Sequence, residues 1–279
     1  MTTLAAAPSA EAPRWSRRIF QGAVVALTAA SWISAALFGA YILAFYGGAL
    51  PKHDLSRWNE NLPNLYGPHT LIANIGIGAH FLTGGILLVL GPVQLVGALR
   101  RRMPVVHRWS GRLYVTAAAL AGLGGLAFLA SKSAVGGLPM SIGFGVYGLL
   151  MLLAAAQTYR HGAARRIDQH RAWGVRLFAL AIGSWLYRME YGFWLPLTNG
   201  LGHTPTFSGP FDMVMDVFFY IPNLAIAELF LRVRQSGGSA ALRVAASTIF
   251  LLATGCVIYG TYYFVKFYWG PGILGFFAA

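Results

Sequence analysis

Seven long apolar stretches, at 19–47, 70–98, 108–131, 138–159, 172–195, 213–231 and 244–271, leave this chain few ways to fold. A helix needs about 20 mostly apolar residues to cross a hydrocarbon core of ~30 Å. Each stretch is close to or above that length, and none has the alternating ~10-residue pattern of a barrel strand. The sequence therefore predicts an all-α polytopic membrane protein with about seven transmembrane helices. Composition agrees. Of 279 residues, 57% are hydrophobic and only 10% charged, where a soluble domain carries ~25% charged residues. This excludes an ordinary soluble enzyme and a disordered chain. The weakest span is 213–231, which holds Asp216, Pro222 and Glu228.

The net charge of +13 is an orientation signal and not a nucleic-acid footprint. Arg14, Arg17 and Arg18 precede the first span. Arg100, Arg101, Arg102, Arg108 and Arg112 join the second to the third. Arg160, Arg165, Arg166, Arg171 and Arg176 join the fourth to the fifth, and Arg232, Arg234 and Arg243 the sixth to the seventh. These are sixteen of the 21 basic residues, and Lys52, Arg57, Lys132, Arg188 and Lys266 fall on the other side. Basic loops stay in the cytoplasm, so the N-terminus is expected inside and the C-terminus outside. Residues 1–18, rich in Ala, Pro and Ser, read as a disordered cytoplasmic N-terminus before a single transmembrane domain over 19–279. Cys256 is the only cysteine, which excludes an intrachain disulfide. Of the outer loops, 48–69 and 196–212 form either a cap or ordinary interfacial connections. Trp58, Tyr66 and Trp194 fall where an aromatic belt would place them.

Two connections resemble each other. Arg100-Arg101-Arg102 leads to His107-Arg108-Trp109, Gly111 and Arg112-Leu113-Tyr114. Arg165-Arg166 leads to His170-Arg171, Trp173-Gly174 and Arg176-Leu177-Phe178. Spans two–three and four–five thus read as repeated hairpins, a parallel internal repeat. They predict a four-helix core over 70–196, with peripheral helices 19–47, 213–231 and 244–271. The repeat sets His107 and His170 at equal depth on helices expected to lie diagonally. That is the arrangement a bis-His heme b requires, with Arg108, Arg112, Arg171 and Arg176 available to heme propionates or to lipid phosphate. No metal is expected beyond heme iron. The competing reading makes each His-Arg step an interfacial anchor.

His80 lies near mid-membrane among small residues, as a heme ligand, a proton-relay base or a hydrogen-bonded structural group. Span four holds no histidine to pair with it. Arg188, Glu190 and Asp216 form an intramembrane polar set. Depth suggests an Arg188–Asp216 contact, with Glu190 turned elsewhere, and spacing suggests Glu228–Arg232. Pro92 and Gln94 mark either a kink beside His107 or a helix end.

In order and spacing, His80 and Gly84, Gly91-Pro92 and Gln94, His107-Arg108-Trp109 with Gly111, Arg112 and Tyr114, and His170-Arg171 with Trp173 and Arg176 resemble domain-of-unknown-function family 2306, predicted bacterial membrane proteins. The resemblance covers about residues 75–195. It implies that the four-span core and His80, His107 and His170 belong together, in a bacterial inner membrane. A weaker fold-level similarity is to cytochrome b561-like heme membrane proteins, which place four histidines in four consecutive spans.

Two classes of function follow. One is a membrane oxidoreductase that binds heme b between His107 and His170 and exchanges electrons with a quinone, quinol or periplasmic redox partner. The other is a small-molecule transporter or binding protein whose cavity involves His80, Arg188 and Glu190. A non-catalytic subunit of a membrane complex, or a homo-oligomer, is a third possibility. A rhodopsin-type receptor is disfavoured, because Lys266 lies near the outer end of its span.

Overall fold

The computed structural model describes residues 13–60, 64–235 and 239–277. Among these residues the regular structure is helical. The elements are α1 (Arg14–Phe45), α2 (Leu71–Leu95), α3 (Gly97–Arg102), α4 (Pro104–Ser131), α5 (Gly137–Ala163) and α6 (Ile167–Ala181). They continue with α7 (Gly183–Thr198), α8 (Pro210–Phe218), α9 (Ile221–Gln235), α10 (Ala240–Phe264) and α11 (Gly270–Phe277). A π-helical turn, Val265–Trp269, joins the last two. Among the described residues, six segments are long and apolar enough to cross a membrane. The remaining expected span is divided into α6 and α7, of 15 and 16 residues. Arg14–Arg18, expected to be disordered, already form the first turns of α1. Residues 1–12 lie outside the described residues.

Local chemistry explains the ends and breaks. Pro104 and Pro210 open α4 and α8, where their missing N–H costs nothing. The Ser239 hydroxyl accepts from Leu242 N and caps α10. At the α6–α7 break the Tyr147 hydroxyl donates 2.7 Å to the Leu180 carbonyl. Backbone groups at membrane depth need such a partner, because lipid offers none. At the α8–α9 break Pro222 has no N–H to give, and the Asn223 side chain donates 2.5 Å to the Phe219 carbonyl.

Helix α2 packs on α4, α4 on α5, α5 on α6, and α6 closes back against α2. This ring of four covers the expected core only up to Ala181, since α7 leaves it for α10, and it leaves α4 diagonal to α6. Helix α1 lies against α2 and α10, while α7 packs on α10. The most extensive seam is α2–α4. A Cβ at Gly76 would lie 2.7 Å from the Gly124 carbonyl oxygen, and one at Gly124 would lie 2.6 Å from that of Gly76. Small residues let transmembrane backbones approach in this way. Gly124→Ala is expected to destabilise the protein by about 1–3 kcal/mol through overpacking, measurable as earlier thermal unfolding in detergent. Large apolar side chains such as Leu71, Leu120, Leu149 and Leu252 face outward, each about half exposed or more. Such a surface matches lipid and would be an aggregation liability in water.

Candidate functional site: an intramembrane pocket

Three helical stripes converge near one end of the bundle. Phe38, Ile42 and Tyr46 recur every four residues on α1 and its C-terminal edge. His80, Gly84 and Leu88 do so on α2, and Ser184 and Arg188 on α7. Residues four apart share a helix face, so each helix offers one side of its surface. With Phe81 they enclose a cavity of about 30 Å³. The Trp58 ring packs on Phe81 and donates from Nε1 to the Tyr46 carbonyl at 3.1 Å. Trp58 is 4% exposed, so it is part of a cap and not of a lipid-facing belt.

The polar groups of the pocket are specifically held. His80 Nδ1 lies 3.1 Å from the Ala121 carbonyl oxygen. A carbonyl can only accept, so Nδ1 carries the proton and Nε2 keeps its lone pair. Arg188 donates from Nη1 to its own helix at Ser184, 2.8 Å away, and its Cζ sits 4.8 Å from the Phe38 ring centroid. It also interacts with the Tyr46 hydroxyl. Among the described residues, no carboxylate pairs with Arg188.

The expected Arg188–Asp216 contact is therefore not made. Both Asp216 oxygens are buried without a hydrogen-bond partner. The residue packs against α5, where a Cβ at Gly143 would strike its backbone. The two side chains point to different sides of the bundle, Arg188 toward α1 and α2 and Asp216 toward α5. Glu190 does not line the pocket either, and its Oε2 is buried without a partner. One turn outward from Asp216, Asp212 is fully buried. It accepts from the Tyr191 hydroxyl at 2.6 Å, His203 Nδ1 at 2.7 Å, Gly209 N at 2.9 Å and Thr204 N at 3.0 Å.

At the basic end, His107 and His170 are each the fourth residue of their helices, α4 and α6. His170 Nδ1 lies 2.9 Å from the Thr158 carbonyl oxygen, which again fixes the proton on Nδ1 and leaves Nε2 free. His107 Nδ1 is buried without a partner, and its ring interacts electrostatically with His170 and Arg100. Of the expected anion anchors, Arg108 is exposed, and Arg112 stacks on Trp109 with Cζ 4.8 Å from the ring centroid. Arg171 lies 3.8 Å from Asp168. Arg176 is committed to Glu228, at 2.5 and 3.2 Å, which also corrects the expected Glu228–Arg232 pairing. The Pro92 region ends α2 three residues later, and Gln94 Nε2 donates 2.7 Å to Ser110 on α4. Among the described residues, no group of three or more His, Cys, Asp or Glu side chains could hold a metal ion.

Sequence reasoning found His80 and Arg188 but missed Tyr46, Phe38 and Ser184. The four-residue spacing back from Arg188 was the available signal for Ser184. Nothing local marked Tyr46. No curated protein and no solved structure matches the chain. A family model described as predicted membrane protein (DUF2306) matches residues 77–231. That segment runs from the His80 turn of α2 through α9, carries all three core histidines and Arg188, and spans more than half of the sequence, so the chain belongs to this family of membrane proteins.

Proposed function

We propose that this membrane protein binds a small amphiphile by a hydrogen-bond-accepting head, a carboxylate or a quinone carbonyl, in the pocket between α1, α2 and α7. The observation that carries the reading is Arg188. Its guanidinium meets Ser184, Phe38 and Tyr46 within the helical body, with no carboxylate paired to it among the described residues. A charge taken from water is costly without an opposite partner, and an acceptor on a ligand supplies one. Tyr46 adds a hydroxyl, and His80 Nε2 can receive a proton from a protonated head. A cavity of about 30 Å³ has room for about one water-sized group, so the tip of the head enters it. The apolar body of the ligand then lies along α2 beside Gly84, where an added Cβ would meet nothing within 4 Å. Transport or carriage of such a molecule is the function class. The basic end and the N-terminus face the cytoplasm of a bacterial inner membrane, and the C-terminus faces outward.

The test is a tryptophan-fluorescence titration of the purified protein with decanoate and, separately, with decylubiquinone. Saturable quenching by at least one probe is expected, and its loss in Gly84→Leu, which fills the pocket without removing a polar group. If neither probe saturates, or Gly84→Leu titrates like the native protein, the reading fails.

A second reading rests on the basic end. His107 and His170, on diagonal helices, would hold heme b on this reading, with the Nδ1 proton of His170 already held by the Thr158 carbonyl and its Nε2 free. Heme would supply one-electron chemistry with a quinone or a redox partner. A reduced-minus-oxidised spectrum of folded protein is expected to show a heme α band on this reading, and a featureless spectrum sinks it.

A further inference from the structure

We propose that a phosphate group binds in the cleft between α6 and α9 at the basic end of the bundle. The cleft has a volume of about 220 Å³ and is lined by Asp168, Arg171 and Ala172 of α6 and by Leu231 and Arg234 of α9. It is a different site from the intramembrane pocket and does not depend on how that pocket is used.

Three features point to an anion. The first is a pair of guanidiniums. Arg171 of α6 and Arg234 of α9 line the cleft from its two walls, so two like charges face it, and Arg234 also feels the charge of Arg100. Such a pair is unfavourable by itself and is relieved by a shared counter-ion. The second is an unused donor. Arg171 Nε is buried with no hydrogen-bond partner, and a buried N–H of this kind costs free energy until an acceptor arrives. The third is the shortage of internal acid. Asp168 is the one carboxylate lining the cleft; it stands 3.8 Å from Arg171 Nη1 and its side chain is 93% exposed. One solvated carboxylate does not balance the two guanidiniums that line it.

The walls are held in place. The Arg176–Glu228 pair ties α6 to α9 one to two turns deeper, with Arg176 also against the Trp173 ring. Asp168 and Arg171 sit in the first turns of α6, whose N-terminal dipole favours an anion. Guanidinium forks match phosphate oxygens in two-point fashion. The cleft lies at the start of α6 and the end of α9, among the arginines of the basic connections. The phosphate can therefore belong to a lipid headgroup or be free in solution, and the chemistry of recognition is the same.

The experiment has two arms, each run on the native protein, on Arg171→Gln/Arg234→Gln, on Ala172→Leu, which fills the cleft without removing a charge, and on Arg14→Gln as a control. In the first arm, native mass spectrometry follows retention of cardiolipin from mixed micelles. In the second, calorimetry follows inorganic phosphate added to protein in a non-ionic detergent. Helix content and gel filtration confirm that each variant is folded. Binding in either arm that falls about tenfold or more in the double variant and in Ala172→Leu, but not in Arg14→Gln, supports the site. The arm that responds names the source. Equal behaviour of all four proteins in both arms overturns the proposal.

Discussion

Arg188→Gln is expected to weaken binding of the head group in the intramembrane pocket by about ten- to a hundredfold. The size follows from the loss of a charge-assisted hydrogen bond, ~1.5–3 kcal/mol, at ~1.4 kcal/mol per decade of affinity. The variant is expected to fold as well as the native protein or better. Arg188 gives its own helix one hydrogen bond, at Ser184, and stacks on Phe38, but completes no ion pair among the described residues. Removing a half-buried charge without such a partner relieves part of a desolvation cost. Weaker binding with unchanged or raised thermal stability is the signature of a group kept for a ligand. A structural cation would lose stability instead. His80→Leu is expected to do less, because the Nδ1 proton is already committed to Ala121. Fluorescence titration and a melting curve on the same samples read both quantities. Native affinity in Arg188→Gln would remove the pocket from the account.

How far the site could be read in advance depends on which coordinate is asked for. Hydropathy gives depth. The repeated hairpin connections put His107 and His170 at matching positions, and each is the fourth residue of its helix. Hydropathy also gave the antiparallel ring of α2, α4, α5 and α6, because short connections force neighbours to pack. Depth says nothing about direction around the helix axis. Arg188 and Asp216 were matched by depth. One faces α1 and α2, while the other faces α5 at Gly143. The helix break at Ile182 interrupts the phase that a continuous span would carry from His170 to Arg188. Glu228 shows the same limit. The partner visible in the sequence was Arg232 at four residues, and the partner in space is Arg176 on another helix. Tyr46 was silent because an apolar run reads alike whether it meets lipid or a pocket. Its place is set by Trp58, which returns from the following loop to hold its carbonyl.

Asp212→Ala is expected to cost about 3–5 kcal/mol, the range for removing one partner from a buried charged network. The carboxylate has no exposed surface and takes four hydrogen bonds at 2.6–3.0 Å. Two come from backbone N–H groups, Thr204 and Gly209, and therefore fix the path of the connection between α7 and α8. The other two come from Tyr191 on α7 and His203 in that connection. Tyr191 in turn receives the Tyr187 hydroxyl at 3.1 Å. Without the carboxylate these donors lose their acceptor where little water can replace it, so the connection should detach before the helices unfold. Asp212→Asn should fall between, because its amide keeps one oxygen but turns an NH₂ toward donors. Asp216→Asn is the internal comparison. Both of its oxygens lack a partner, so no bond is broken and stability should hold or rise. Thermal unfolding in detergent, with limited proteolysis at residues 199–209, separates the three. If Asp212→Ala melts with the native protein and resists the protease equally, the network does not hold the outer end of the bundle. The carboxylate would then have to be explained by what it does to a proton or a ligand.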